Sequence, residues 1–268
     1  MRLGLEREAL RRALVAALLC GWVGACAGAP VEPGSIDGAA TDAEPAPSRD
    51  ALLHVDDPLE GLNRQIYKFN AQADRYVLLP AVRAYKFAVP LVFRDRISDF
   101  FAHIGDLGTF ANLILQLKFE NAFKTAMRFG ANTTFGMFGF VDIATPMGLP
   151  RYHEDFGQTL GRWGVGAGPF LVLPILGPSN VRDTVGLAVD RVAFVVVDPF
   201  GLASLESNHP EILAVDAVNS RYIESFRYYD SGSPFEYLLV RYFYTKKRQL
   251  EIGDIPAPDH DGGEGEGG

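Results

Sequence analysis

Cysteine is almost missing. Two occur in 268 residues, Cys20 and Cys26, both near the start. The rest of the chain cannot hold an internal disulfide, so its folded part must be stabilised by packing and polar contacts. Clustered positive charge is missing too. The net charge is −8 and the only basic cluster is Lys246–Arg248, which excludes a nucleic-acid-binding surface. After Cys26 no run of eighteen apolar residues occurs, so no spanning helix is expected there. Alternating strand patterns are scarce. No G-x-S-x-G turn offers a serine nucleophile, and no P-loop lysine follows the glycines.

What is present begins with a processing signal. Arg2, Arg7, Arg11 and Arg12 precede the apolar Ala13–Leu19, and small residues end the run. That order reads as a secretory signal peptide over residues 1–25. Val23–Cys26, "VGAC", resembles the lipobox of bacterial lipoproteins, which makes Cys26 the expected lipid anchor. Residues 26–55, rich in Ala, Pro, Gly, Asp and Glu, read as a flexible tether, and 255–268 read as a disordered tail. One domain is expected over 56–254.

Within that domain the apolar period is helical. Leu62, Ile66, Phe69, Ala73 and Val77 share one face of a first helix, with Asp57 placed to cap it, Pro58 at its first position and Glu60 completing a capping box. Pro80 is expected to end this helix or start the next. Further helices are expected over 93–107, 109–117 and 121–135, the last with Ala122, Phe123, Ala126, Met127 and Gly130 inward. Ser179 is expected to cap a helix to about Val192. Residues 193–200, "AFVVVDPF", fit a short strand or a buried helical turn. Residues 210–229 fit a helix, and Ser233, Pro234 and Glu236 fit the start of a last one. The fold class is mainly α.

The stretch "GRWGVGAGPFLVLPILGP", residues 161–178, is unusual. Gly161, Gly164, Gly166 and Gly168 loosen its first half, while Pro169 and Pro174 stiffen an apolar second half that begins at Phe170. Its glycines do not match a dinucleotide loop. A hinge-like loop followed by an apolar arm is expected. His153, Glu154 and Asp155 are sequence neighbours on a loop, so their side chains need not converge on a metal or a catalytic centre, and no cofactor is expected. The pair Arg182 and Asp183 reads as solvated or structural, with a lipid phosphate as the alternative partner of Arg182.

"DPLEGLNRQIYKFN" and "EDFGQTLGRWGVGAGPFLVLPILGPSNVRD" together resemble the MlaA (VacJ) family of outer-membrane lipoproteins. The matching positions include Asp57, Pro58, Asn63, Arg64, Asn70, Asp142, Gly148, Asp155, Gly157, Arg182 and Asp183. The resemblance implies a single helical domain, ring-shaped around a central channel, with a Gly-rich hairpin loop. It implies a non-enzymatic role: phospholipid that has strayed into the outer leaflet is removed and passed to a soluble periplasmic carrier of the MlaC type, beside a trimeric porin. The periplasm-facing, lipid-anchored location in the outer membrane follows from the same resemblance. Leu117 stands where the family usually has glycine, and Gly108 where proline is common. A lipoprotein that only docks a porin or another envelope partner is the alternative.

Overall fold

The computed structural model describes Val55, residues 57–229 and residues 235–253. Cys26, the tether and the tail lie outside them, as do Ser233 and Pro234. The described chain runs α1 (Glu60–Ala73), a π-helical turn (Asp74–Leu78), α2 (Leu79–Ala88), α3 (Leu91–Leu115), α4 (Phe119–Thr134) and α5 (Phe156–Arg162). A hairpin follows, β1 (Phe170–Leu173) and β2 (Gly177–Asn180), and then α6 (Val181–Val197) and a 3-10 turn (Pro199–Gly201). The chain continues with α7 (Leu202–Asn208), α8 (Pro210–Ile223) and α9 (Glu236–Ile252). The strands are antiparallel, with Phe170 opposite Asn180 and Leu173 opposite Gly177.

Several helices bury polar side chains and expose large apolar ones, although α1 also exposes Gln65, Lys68 and Gln72, and α9 exposes Lys246 and Lys247. On α1 the buried side chains are Asn63, Tyr67 and Asn70, while Leu62 and Phe69 are exposed. On α3 and α4, which pack together, the buried stripes carry Asp106, Thr109 and Asn112 on one helix and Thr125, Arg128 and Asn132 on the other. Among the described residues twenty polar or charged side chains are buried and only nine hydrophobic ones. This reverses the expected orientation of α4. Ala122 is inward, but Phe123, Ala126, Met127 and Gly130 face out. A helical period separates two faces; it does not state which one meets the protein.

Several boundaries differ from the sequence reading. The expected helices at 93–107 and 109–117 are one helix, α3, which runs through Gly108 without a break. Pro80 sits in the first turn of α2. It has no N–H to give, and the chain reaches it through the π turn, closed by the Leu79 N–H on the Asp74 carbonyl, without leaving helical conformation. Asp57 does not cap α1, which starts at Glu60 with no side-chain cap. Asn180, not Ser179, caps α6, its Oδ1 accepting from the Asp183 amide at 2.8 Å. Residues 194–197 are neither strand nor buried turn. They finish α6 with Val195 and Val197 exposed. α8 stops at Ile223 rather than continuing to 229.

Leu117 explains its own oddity. It lies at φ 60, just past α3. The Lys118 amide reaches the Leu113 carbonyl and the Leu117 amide the Ile114 carbonyl. That is a Schellman ending, in which the left-handed position suits glycine.

Candidate functional site

The hairpin is held from two sides. Along its outer edge, two asparagines seven residues apart on α1 replace a third strand. Asn63 Nδ2 donates to the Phe170 carbonyl at 3.0 Å, and Asn63 Oδ1 accepts from the Val172 amide at 2.9 Å. Asn70 does the same with the Leu173 carbonyl and the Ile175 amide, at 2.9 and 2.7 Å. An unpaired strand edge is thereby satisfied without exposing it. Asp57 fixes Asn63 from behind, accepting from its Nδ2 at 2.7 Å, and also accepts from the Tyr237 hydroxyl and Arg241. Tyr67 donates to Glu236 at 2.7 Å. Burial and this carboxylate push the Tyr67 hydroxyl pKa well up. Arg64 lies 4.4 Å over the Tyr237 ring and pairs with Glu60. Pro58 lies in the turn that leads into α1.

On the other side Arg248 of α9 is a hub. It makes a two-pronged contact with Asp155, at 2.8 and 2.9 Å, and its Nε donates to Asp183 at 2.8 Å. Asp183 also accepts from Arg182 Nε and Nη2 and from the Tyr244 hydroxyl. Burial opposes ionisation of Asp183, but the hydrogen bonds from Arg248, Tyr244 and Arg182 outweigh it and hold its pKa down. The same two carboxylates push Arg248 up against its own desolvation. Arg182 and Asp183 are therefore buried and structural, not solvated. Asp155 further caps α5 through the Gln158 amide.

A cleft of about 180 Å³ opens here. Leu173, Leu176, Pro178 and Leu187 contribute apolar walls, and Ser179, Asp190 and the Asp155–Arg248–Asp183 group polar ones. Asp190 accepts from the Asn112 side chain and from the Phe156 amide, but desolvation raises its pKa. A mixed cleft of this kind can hold a molecule with both polar and apolar parts. His153, Glu154 and Asp155 do not converge: Glu154 takes Lys118 and Gln116, while Asp155 takes Arg248. Among the described residues no group of three or more His, Cys, Asp and Glu side chains could hold a metal.

The glycines of the stretch serve different needs. Gly161 belongs to α5, and a Cβ there would stand 2.6 Å from Ile252 and 2.9 Å from Arg182. Gly157 likewise admits the Asp183 carboxylate at 2.7 Å from its would-be Cβ. Gly164, at φ +89, and Gly168, at φ +67, take left-handed conformations, while Gly166 faces open space. The Pro169 carbonyl accepts from the Val181 amide. Phe170 is buried among Tyr67, Val172 and Tyr237. Pro174 starts the hairpin tip, where Ile175 and Leu176 are exposed.

The structure brings Asp155, Gly157, Gly161, Arg182 and Asp183 to one place, and Asp57, Asn63 and Phe170 to another; sequence reasoning picked these residues as motif or loop positions without placing them together. It missed α9 as the common partner. The signal was there: Tyr237 and Tyr244, and Arg241 and Arg248, each recur after seven residues, on one helical face.

Helices that bury polar side chains and expose many large apolar ones define a class of mainly helical protein with a partly apolar exterior; no described helix is long and apolar enough to cross a membrane. The chain belongs to the MlaA lipoprotein family, whose profile matches residues 55–251. An uncharacterized protein of Rickettsia felis is 34% identical over 207 residues, covering 76% of this chain and 81% of that one. The intermembrane phospholipid transport system lipoprotein MlaA of Escherichia coli (strain K12) is 37% identical over 139 residues, half of this chain and 55% of that protein. A solved chain from work on the structural basis for maintenance of bacterial outer membrane lipid asymmetry superposes with a TM-score of 0.61. It is 30% identical, and the match covers 74% of this chain and all of that one.

Proposed function

We propose that this chain is the outer-membrane lipoprotein of an Mla-type intermembrane phospholipid transport system. It removes mislocalised phospholipid from the outer leaflet and hands it to a soluble periplasmic carrier, which preserves lipid asymmetry. The observation that carries the reading is the family match across the whole described domain. The inverted polarity of the helices supports it. Apolar outer faces suit immersion in one leaflet, provided the backbone bonds are internal, and polar inner faces suit a headgroup path.

In this reading Cys26 carries the lipid anchor, the helices surround a channel, and a trimeric porin stands alongside. The arm from Gly161 to Pro178 lines or gates the path, with Gly164 and Gly166 as its bending points. The protein performs no bond chemistry. Deleting the gene tests the reading: outer-leaflet phospholipid and detergent sensitivity should both rise, and unchanged values of both overturn it. Cys26→Ala tests the anchor, with loss of lipid labelling and of membrane retention expected.

A further inference from the structure

The loop after α4 reads "FGMFGF", residues 135–140, and it places its large side chains outward. Phe135, Met137 and Phe138 are 73%, 70% and 74% exposed. This is not a slack surface loop. Gly136 lies so close to α4 that a Cβ would stand 2.6 Å from the Asn132 carbonyl and 2.2 Å from that of Val141. Gly139, at φ +91, lies on the His103 ring, 2.2 Å from where its Cβ would be. The two glycines fasten the backbone inward. Between them Met137 and Phe138 take left-handed conformations, φ 53 and 58, which large side chains rarely adopt, and point away from the protein.

Two features decide what medium they meet. First, four of the six amides from Gly136 to Val141 are satisfied inside the loop and its helix: Phe138 on Thr133, Gly139 on Asn132, Phe140 on Met137 and Val141 on Gly136. Water imposes no such requirement on an exposed loop, but hydrocarbon does, because an unpaired amide there has no partner. Second, no charged residue occurs between Arg128 and Asp142, and no Tyr or Trp either. Tyr and Trp mark positions at the membrane–water boundary; phenylalanine and methionine alone suit a deeper position.

We propose that residues 135–140 form a wedge that inserts among the acyl chains of the surrounding leaflet. It is a non-helical point at which this domain is fixed in depth. The inference rests on the lipid-immersed reading of the helices and adds a specific contact to it.

Tryptophan reporters test it on the full chain, in a background with Trp22→Phe and Trp163→Phe. One variant carries Phe138→Trp. A second carries Phe93→Trp, on the exposed face of α3. Each is reconstituted into vesicles of phosphatidylethanolamine and phosphatidylglycerol with bromine near mid-chain. The wedge predicts strong bromine quenching at 138, at least equal to that at 93, and little quenching by aqueous acrylamide. Quenching at 93 with none at 138 overturns the wedge and leaves the immersed reading intact. No quenching at either position overturns the immersed reading itself. Burial of 138 from both quenchers points to a protein partner and also overturns the wedge. Should Phe138→Trp fail to fold, Met137→Trp reports the same tip.

Discussion

Asn63 and Val172 are joined by a hydrogen bond that makes a side chain act as a strand: the asparagine Oδ1 accepts from the Val172 amide at 2.9 Å, while its Nδ2 serves the Phe170 carbonyl. Asn63→Ala removes both partners from a buried edge. The loss should be about 2–4 kcal/mol, the sum of two orphaned backbone groups. It is read as a lower unfolding midpoint in detergent micelles and as faster proteolysis within 170–180. Asn63→Asp turns the donor into a carboxylate oxygen facing Asp57 and the Phe170 carbonyl in a buried site, and should cost at least as much as alanine.

Arg248→Met leaves Asp155 and Asp183 without their shared cation, and Asp183 is deeply buried. Removing one member of such a group costs about 3 kcal/mol or more. The defect should shrink in acid. Asp183 has a depressed pKa in the parent, so its contribution is present above the unfolded carboxylate value and fades as pH falls. Arg248→Lys should rescue only partly, because an ammonium cannot reproduce the two-pronged contact with Asp155. Equal stability of parent and Arg248→Met at neutral pH would sink this account.

The pair of acids facing Arg128 should titrate in opposite senses. Asp142, held by Thr145 and Arg128 against its burial, is depressed to about 2. Its contribution is full above the ordinary carboxylate range and is lost as pH falls toward 2. Asp106 lies 3.5 Å from Arg128 Nε without hydrogen-bond geometry, and desolvation lifts it to about 6. The folded state therefore binds a proton between pH 6 and about 4 that the unfolded chain does not. Across that window the parent should gain on Asp106→Asn by up to roughly 3 kcal/mol. A difference between the two that does not move with pH contradicts the raised carboxylate.

Leu117→Gly should stabilise the protein by about 1 kcal/mol, by relieving a left-handed leucine at an exposed helix end. A lower unfolding midpoint contradicts it.

Substitution by alanine separates packing glycines from bending ones. Gly186→Ala should fail to fold normally, since its Cβ would stand 2.3 Å from the Gly157 amide nitrogen. Gly166→Ala meets nothing and should leave the fold unchanged. Lost phospholipid transport by a well-folded variant bulky at 166 supports bending there; full transport by that variant opposes it.

The helices were legible because their 3.6-residue period survives whichever face is inside. What the period could not reveal was polarity. Phe123 and Met127 follow the same spacing as core residues, and only the positions of Thr125, Arg128 and Asn132 show that the polar stripe is the packed one. The hairpin was expected as an apolar arm, but its pairing was not. Four residues per strand and a Gly-Pro-Ser-Asn second strand give no alternation to read. The seven-residue recurrence of Tyr237, Arg241, Tyr244 and Arg248 marks one face of α9 but not its partners, because the Arg248–Asp155 contact joins residues 93 positions apart and leaves no local pattern at Asp155.

The reversed polarity has a consequence for the molecule's history. A conventional globule is gathered in water by the surfaces it hides. Here those surfaces remain outside, so water offers little to drive collapse and much to drive clumping. On the lipid-immersed reading proposed above, a chain of this design gains from an escort that covers its apolar faces until lipid does.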